Sequence, residues 1–153
     1  MGRIRSVLAP LLLALAATSL GAAGCGKSPV DTPVRWHVDV KTAEASAKAQ
    51  HKPLLVYFGA AWDMAAKQME QKTFADPEVR FLMGQHFVVV HVDATDDESP
   101  ELRELQSRFK VLGDPTTVIM SADGKAELVR FNEFVPPRRF ANVLTRVAHV
   151  PTP

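Results

Sequence analysis

Cys25 is the only cysteine in the 153-residue chain, so no internal disulfide and no two-thiol redox cycle can form within it. The other groups able to do chemistry are His37, His51, His86, His91 and His149, with Met64, Met69, Met83 and Met120. A metal needs several such donors converging at short, fixed spacing. These fall in no compact motif, and no metal or other cofactor is expected. His86 and His91 bracket one apolar run, and their odd spacing sets them on opposite faces of a strand. Met69 reads as a flexible core filler. The carboxylate with the most informative context is Asp63, within the segment KPLLVYFGAAWDMAAKQMEQK from Lys52 to Lys72. There an apolar run passes through Gly59, Ala60, Ala61 and Trp62 into a stretch of helix formers. At a helix start, an aspartate accepts hydrogen bonds from unpaired amides and complements the dipole, a contribution of ~1 kcal/mol. As a metal-binding or recognition group it has no visible partner. Trp62 can pack as part of the turn or offer an aromatic surface to a partner.

The elements that must position these residues follow from periodicity and punctuation. Arg35 to Val40 alternates as a short edge strand, and Thr42 to Gln50 reads as a helix with Thr42 as N-cap and Glu44 in its first turn. Leu54 to Phe58 is continuously apolar, as a strand covered on both faces is. Met64 to Lys72 carries helix formers throughout. Asp76-Pro77-Glu78 opens a helix to about Gly84, and Phe87 to Val92 is a second central strand. Ser99-Pro100-Glu101 caps a helix reaching Phe109. Thr116 to Met120 and Leu128 to Phe131 flank Asp123-Gly124, a hairpin signal. Pro136 and Pro137 open a last helix, Arg138 to Ala148, with Phe140, Val143, Leu144 and Val147 on one face. The order predicts an α/β fold with a mixed central sheet flanked by helices.

Upstream of all this, Arg3 and Arg5 form a basic n-region, and Val7 to Leu20 is an apolar run too short for an ordinary membrane span. Residues 1–24 therefore read as a signal peptide, 25–34 as a short polar tether and 35–150 as one domain. The chain carries 18 Lys and Arg against 17 Asp and Glu, two of the arginines in the leader. That balance argues against nucleic acid as a partner.

Two resemblances refine the reading. Gly21-Ala22-Ala23-Gly24-Cys25 resembles the lipobox of bacterial lipoproteins, although Ala22 stands where that family prefers Leu, Val or Ile. It implies cleavage before Cys25 and acylation of Cys25 by chains such as palmitate. Across roughly residues 40–148 the chain resembles the thioredoxin-like superfamily, in particular the periplasmic C-terminal domain of the disulfide-interchange protein DsbD. The match is carried by Lys52-Pro53, by Ala60 to Trp62, by Thr73-Phe74-Ala75-Asp76-Pro77-Glu78-Val79, and by Val111-Leu112-Gly113-Asp114-Pro115-Thr116. The Trp-Cys-x-x-Cys motif of that family stands here as Trp62-Asp63-Met64-Ala65-Ala66. Tyr57 occupies the place of the family's buried acid.

The resemblance implies a thioredoxin-like fold, a cis-proline at Pro115, and backbone pairing with an extended peptide beside it, which requires no cysteine. Trp62, Met64, Asp114, Pro115 and Thr116 would line that peptide-binding cleft; in the bland alternative Pro115 only shapes the fold. The expectation is a redox-inactive, membrane-tethered lipoprotein, with no catalytic residue, that binds protein or peptide partners in the periplasm or cell envelope. Gly26 after the cysteine favours the outer membrane in a cell with two membranes. Thiol-disulfide interchange, through an unacylated Cys25, and a structural subunit of an envelope complex remain the alternatives.

Overall fold

The computed structural model describes residues 33–149. The expected signal peptide, Cys25 and most of the tether lie outside the described residues. In chain order the elements are β1 (Trp36–His37), α1 (Val40–Gln50), β2 (Leu54–Gly59), α2 (Met64–Gln68), a π-helical turn (Met69–Thr73), α3 (Pro77–His86) and β3 (Val88–Asp93). They continue with α4 (Pro100–Arg108), β4 (Thr116–Met120), β5 (Glu127–Phe131) and α5 (Pro137–Ala148). The sheet order is β1-β3-β2-β4-β5. β3 runs parallel to β1 and β2, whereas β4 is antiparallel to β2 and to β5.

Every residue of β2 is buried, as its uninterrupted apolar run requires, and strand alternation divides it between two cores. Leu55 and Tyr57 join Val89, Ile119 and Phe131 against α3, α5 and the π-helical turn. Leu54, Val56 and Phe58 join Val88, Val90 and Val92 against α1 and α4. Burying each of these large side chains contributes about 1.5–3 kcal/mol. α5 presents Phe140, Ala141, Leu144 and Val147 to the first core, with Val143 partly buried beside them. Among the described residues no helix is long and apolar enough to cross a membrane.

Several boundaries differ from the sequence expectation for local reasons. Asp39, not Thr42, caps α1: its Oδ1 accepts from the Thr42 amide at 2.7 Å and the Thr42 hydroxyl at 2.5 Å. The helix therefore starts at Val40, the predicted edge strand shrinks to two residues, and Glu44 leaves the first turn to pair with Arg108 of α4. α3 runs on to His86, so His86 ends a helix while His91 lies in β3. The helix predicted over Met64 to Lys72 widens into a π-helical turn from Met69, where the Phe74 amide bonds the Met69 carbonyl at 2.8 Å. Two contacts fix that turn. The buried Thr73 hydroxyl donates to the Val135 carbonyl at 2.5 Å, and the Val135 amide meets the Met69 sulfur at 3.2 Å. The wider turn holds both side chains on the loop ahead of α5, a demand that helix propensity does not register.

Candidate functional site

β2 ends at Gly59 because the chain must turn there, and Gly59 has a second constraint. A Cβ built on it would stand 2.5 Å from the Tyr57 hydroxyl and 2.6 Å from the ring's Cζ, so only glycine leaves room for the tyrosine that floors this end of the sheet. The turn that follows is pinned to the end of β3. Thr95 donates its amide and hydroxyl to Asp93 at 2.9 and 2.5 Å. Its hydroxyl oxygen accepts from the Ala61 amide at 2.9 Å, and its carbonyl accepts from the Trp62 indole at 3.3 Å. The two Thr95 hydrogen bonds, side chain first, hold the Asp93 carboxyl below its ordinary range. The indole is thus oriented by its edge while the residue stays 62% exposed.

Asp63 then opens α2. Its Oδ1 accepts from the Ala66 amide at 2.6 Å, the N-cap arrangement expected of an aspartate at this place. Ala66 is fully buried, Ala65 partly so, and Met64 is 66% exposed. Beneath the helix, the buried Tyr57 hydroxyl donates to the Ala66 carbonyl at 3.2 Å and lies 3.4 Å from Glu70 Oε1. Burial, then the neighbouring Glu70 charge, pushes the phenol far above its ordinary range. Tyr57 is therefore a neutral strut at neutral pH and cannot carry protons as a carboxylic acid there would.

The start of β4 reaches the same end of the sheet, since Thr116 pairs with Phe58 in the register of β2 and β4. The Asp114–Pro115 peptide bond is cis, as the resemblance implied, and Pro115 is buried. Thr116 is buried too, with its hydroxyl donating to the Gly113 carbonyl at 2.6 Å. It ties down the loop before β4 and offers no free hydroxyl. Asp114 is only partly buried, yet its Oδ1 is shielded from solvent and has no hydrogen-bond partner. Burial, and then the charge of Asp63, raises the Asp114 carboxyl above its ordinary range. Leu112, 94% exposed, stands two residues earlier in the same loop.

The expected site residues thus gather at one end of the sheet, with Trp62, Met64 and Asp114 accessible and Ala66, Pro115 and Thr116 forming the interior support. Sequence reasoning missed Asp93 and Thr95, which orient the indole, and the Tyr57–Glu70 pair beneath α2. The D-x-T spacing of Asp93 and Thr95, an Asx-turn signal directly after a strand, was the available clue. Cys25 lies outside the described residues.

A family model described as a thioredoxin-like domain matches residues 40–148. The thiol:disulfide interchange protein DsbD of Ralstonia nicotianae is 32% identical over 142 residues, which are 93% of this chain and 23% of that protein. A thioredoxin from Thermus thermophilus has a similar structure, with a TM-score of 0.66 and 30% identity over 76% of this chain and 88% of its own. The DsbD C-terminal domain of Neisseria meningitidis, in its reduced form, gives a TM-score of 0.62 at 24% identity, over 71% of this chain and 93% of its own. The chain therefore spans about a quarter of the DsbD relative it matches, and the latter likeness is one of fold. The chain belongs to the thioredoxin-like domain family.

Proposed function

We propose that this thioredoxin-like domain works alongside thiol-disulfide chemistry without performing it, as a cell-envelope protein that holds an extended peptide or protein segment in the cleft beside Pro115. One observation carries the reading: Asp63 stands at the helix mouth as an N-cap, its Oδ1 2.6 Å from the Ala66 amide. The backbone position that would activate a thiol is retained, but a carboxylate has no sulfur redox cycle. The exposed Trp62 and Met64 and the cis bond at Pro115 give such a cleft both an apolar surface and a backbone able to accept a strand. The relationship to DsbD supports a place in the envelope and protein partners. Acylation of Cys25 would tether the domain to a membrane through residues 25–34, with the outer membrane favoured where there are two.

A second reading, thiol-disulfide interchange itself, is favoured by the name of that relative. It requires Cys25 as a free thiol on the tether, since no other cysteine exists. One experiment separates the two. The full chain and its Cys25→Ser variant, both in detergent, are compared for binding to a reduced, unfolded test protein and for insulin reduction with dithiothreitol. We expect equal binding and no turnover above the reagent alone; turnover that Cys25→Ser abolishes selects the second reading, and absence of binding contradicts the first.

A further inference from the structure

Charge is distributed unevenly along the strands. The end of the sheet at which Leu54, Val88, Met120 and Glu127 stand in register is closed by residues 33–35, 48–53, 84–87 and 121–127. The end of α4 reaches it too, since Arg108 and Lys110 line a groove with Met120 and Lys125. With 108–110 included, these segments carry six Lys or Arg, at Arg35, Lys48, Lys52, Arg108, Lys110 and Lys125, against two carboxylates, Asp123 and Glu127. Both carboxylates, and Glu44 beside them, are already in ion pairs, with Lys125, Arg130 and Arg108. Arg35, Lys48, Lys52 and Lys110 have no such partner among the described residues, and all but the partly buried Lys52 are exposed. Lys48 lies in the last turn of α1, where it also complements the helix dipole; Arg35, Lys52 and Lys110 lie outside the helices. The opposite end is acidic. Residues 93–101 hold Asp93, Asp96, Asp97, Glu98 and Glu101 with no Lys or Arg.

The chain enters the domain at the same basic end. Pro33 and Arg35 line a groove of about 710 Å³ with Gln50 and Lys52, and no carboxylate belongs to it. The eight residues from Cys25 to Thr32 reach at most about 29 Å even at full extension, so an anchor at Cys25 keeps this end beside the lipid. We infer that the domain rests by its basic end on an anionic lipid surface, with the four unpaired cations against the headgroup phosphates, and so holds the end with Trp62 and Pro115 outward. The inference rests on the acylation of Cys25 and adds an orientation and a lipid charge. Each Lys or Arg near an anionic leaflet favours contact by about fivefold, whereas the acidic loop is repelled from the same surface. Orientation follows from the two together. The near-zero net charge does not oppose it, because the field decays within about 8 Å in physiological salt. The six-residue β2 sets the two ends about 20 Å apart, so the surface senses them separately.

The test uses the mature chain, purified from membranes in detergent and reconstituted into vesicles of phosphatidylcholine, alone or with about one third phosphatidylglycerol. Acylation leaves no free thiol, so a cysteine introduced at one exposed site can carry a fluorophore: Gln50→Cys at the basic end or Glu98→Cys in the acidic loop. Energy transfer to a headgroup-bound acceptor then reads how near each site lies to the surface. We expect transfer at residue 50 relative to residue 98 to rise at least about twofold when the anionic lipid is added, and to fall back in about 0.5 M salt. The combined variant Arg35→Gln, Lys48→Gln, Lys52→Gln and Lys110→Gln, with an unchanged circular dichroism spectrum, should lose the rise. A ratio indifferent to lipid charge overturns the docking and leaves the anchor and the peptide cleft standing. A rise that survives in the fourfold variant overturns the role of these cations. Labelling of the chain without an introduced cysteine, or its loss from neutral vesicles, means that Cys25 is not acylated and overturns the anchor and this inference together.

Discussion

Asp114 and Asp123 stand just outside the two ends of β4, and the fold treats them in opposite ways. Asp123 accepts from the Ser121 hydroxyl at 2.6 Å and the Lys125 amide at 3.1 Å, with the Lys125 ammonium 3.4 Å away. Those hydrogen bonds, Ser121 first, hold its carboxyl below the ordinary range. Asp114 has a shielded oxygen with no donor, and burial together with Asp63 raises its carboxyl. The hairpin end is a turn whose polar groups answer one another. The end at Pro115 leaves an acceptor unanswered, and Trp62, Met64 and Leu112 are exposed there. A region whose local hydrogen bonds close among themselves has only the chain to hold together; at the other end a shielded acceptor lacks a donor and apolar side chains stand exposed, the features on which the proposed binding role rests.

The comparison breaks most sharply at the glycines of the two ends. Gly59→Ala would drive a methyl into the Tyr57 ring, whose nearest atoms lie at 2.5 to 2.7 Å. That ring is packed edge-on against Phe74, with centroids 4.8 Å apart, so a shift of it disturbs the aromatic contacts of the core. Overpacking of this kind costs about 1–3 kcal/mol. Gly124→Ala meets nothing within 4 Å but must adopt a φ of +72°, at about 1–2 kcal/mol. Urea denaturation should rank Gly59→Ala as the more damaging, and Gly59→Ala alone should perturb the environment of Trp62 through the tyrosine beneath α2. A larger loss from Gly124→Ala would place the tighter constraint at the hairpin.

The aspartates sharpen the same contrast with a smaller effect of predictable sign. The folded carboxyl of Asp114 is raised, so the folded state binds its proton more readily than the unfolded chain. That unfavourable contribution is absent below the unfolded-state range and appears as pH rises through the raised folded value. Asp123 is lowered, so its favourable contribution is present above the unfolded range and is lost as pH falls through the folded value. Asp114→Asn should therefore stabilise the protein at pH 7, by at most about 1 kcal/mol once partial exposure is discounted, and should do nothing at pH 3. Asp123→Asn should destabilise at pH 7 and likewise converge with the wild type in acid. Thermal melts across pH 3 to 8 read both, and the same sign at pH 7 for the two variants would erase the distinction between the ends of β4.

Much of this architecture was legible from the chain alone. The apolar run of β2, the Asp76-Pro77 and Ser99-Pro100 helix starts and the Asp123-Gly124 turn each carry a signal within a few residues, and each element formed where it was expected. At two of the places where the reading slipped, the deciding contact lay elsewhere in the chain. The π-helical turn answers Val135, some sixty residues downstream, and Glu44 is drawn to Arg108 on another helix. The α1 cap was a local competition, which Asp39 won because its carboxylate takes both the amide and the hydroxyl of Thr42. At the site, Asp63 standing where the resemblance implies a cysteine was visible at once. The unanswered state of Asp114 was not, because a missing hydrogen bond is a property of packing around a residue and leaves no trace in its neighbours in sequence.

The central claim is the proposal that the end of the sheet around Asp63 and Pro115 keeps the backbone of a thiol-disulfide site without its sulfur, and with the neutral Tyr57 beneath α2 in place of a buried acid. Asp63→Cys combined with Ala66→Cys restores two thiols around the first turn of α2, beside Pro115. The account predicts that the thiol introduced in place of Asp63 titrates well below an ordinary cysteine, drawn down by the helix N-terminus, although the neighbouring Asp114 limits the fall. The double variant should reduce insulin slowly but measurably, while the unchanged chain stays at the reagent background. A folded double variant that forms its new disulfide yet never exchanges it would contradict the account, as would insulin reduction by the unchanged chain.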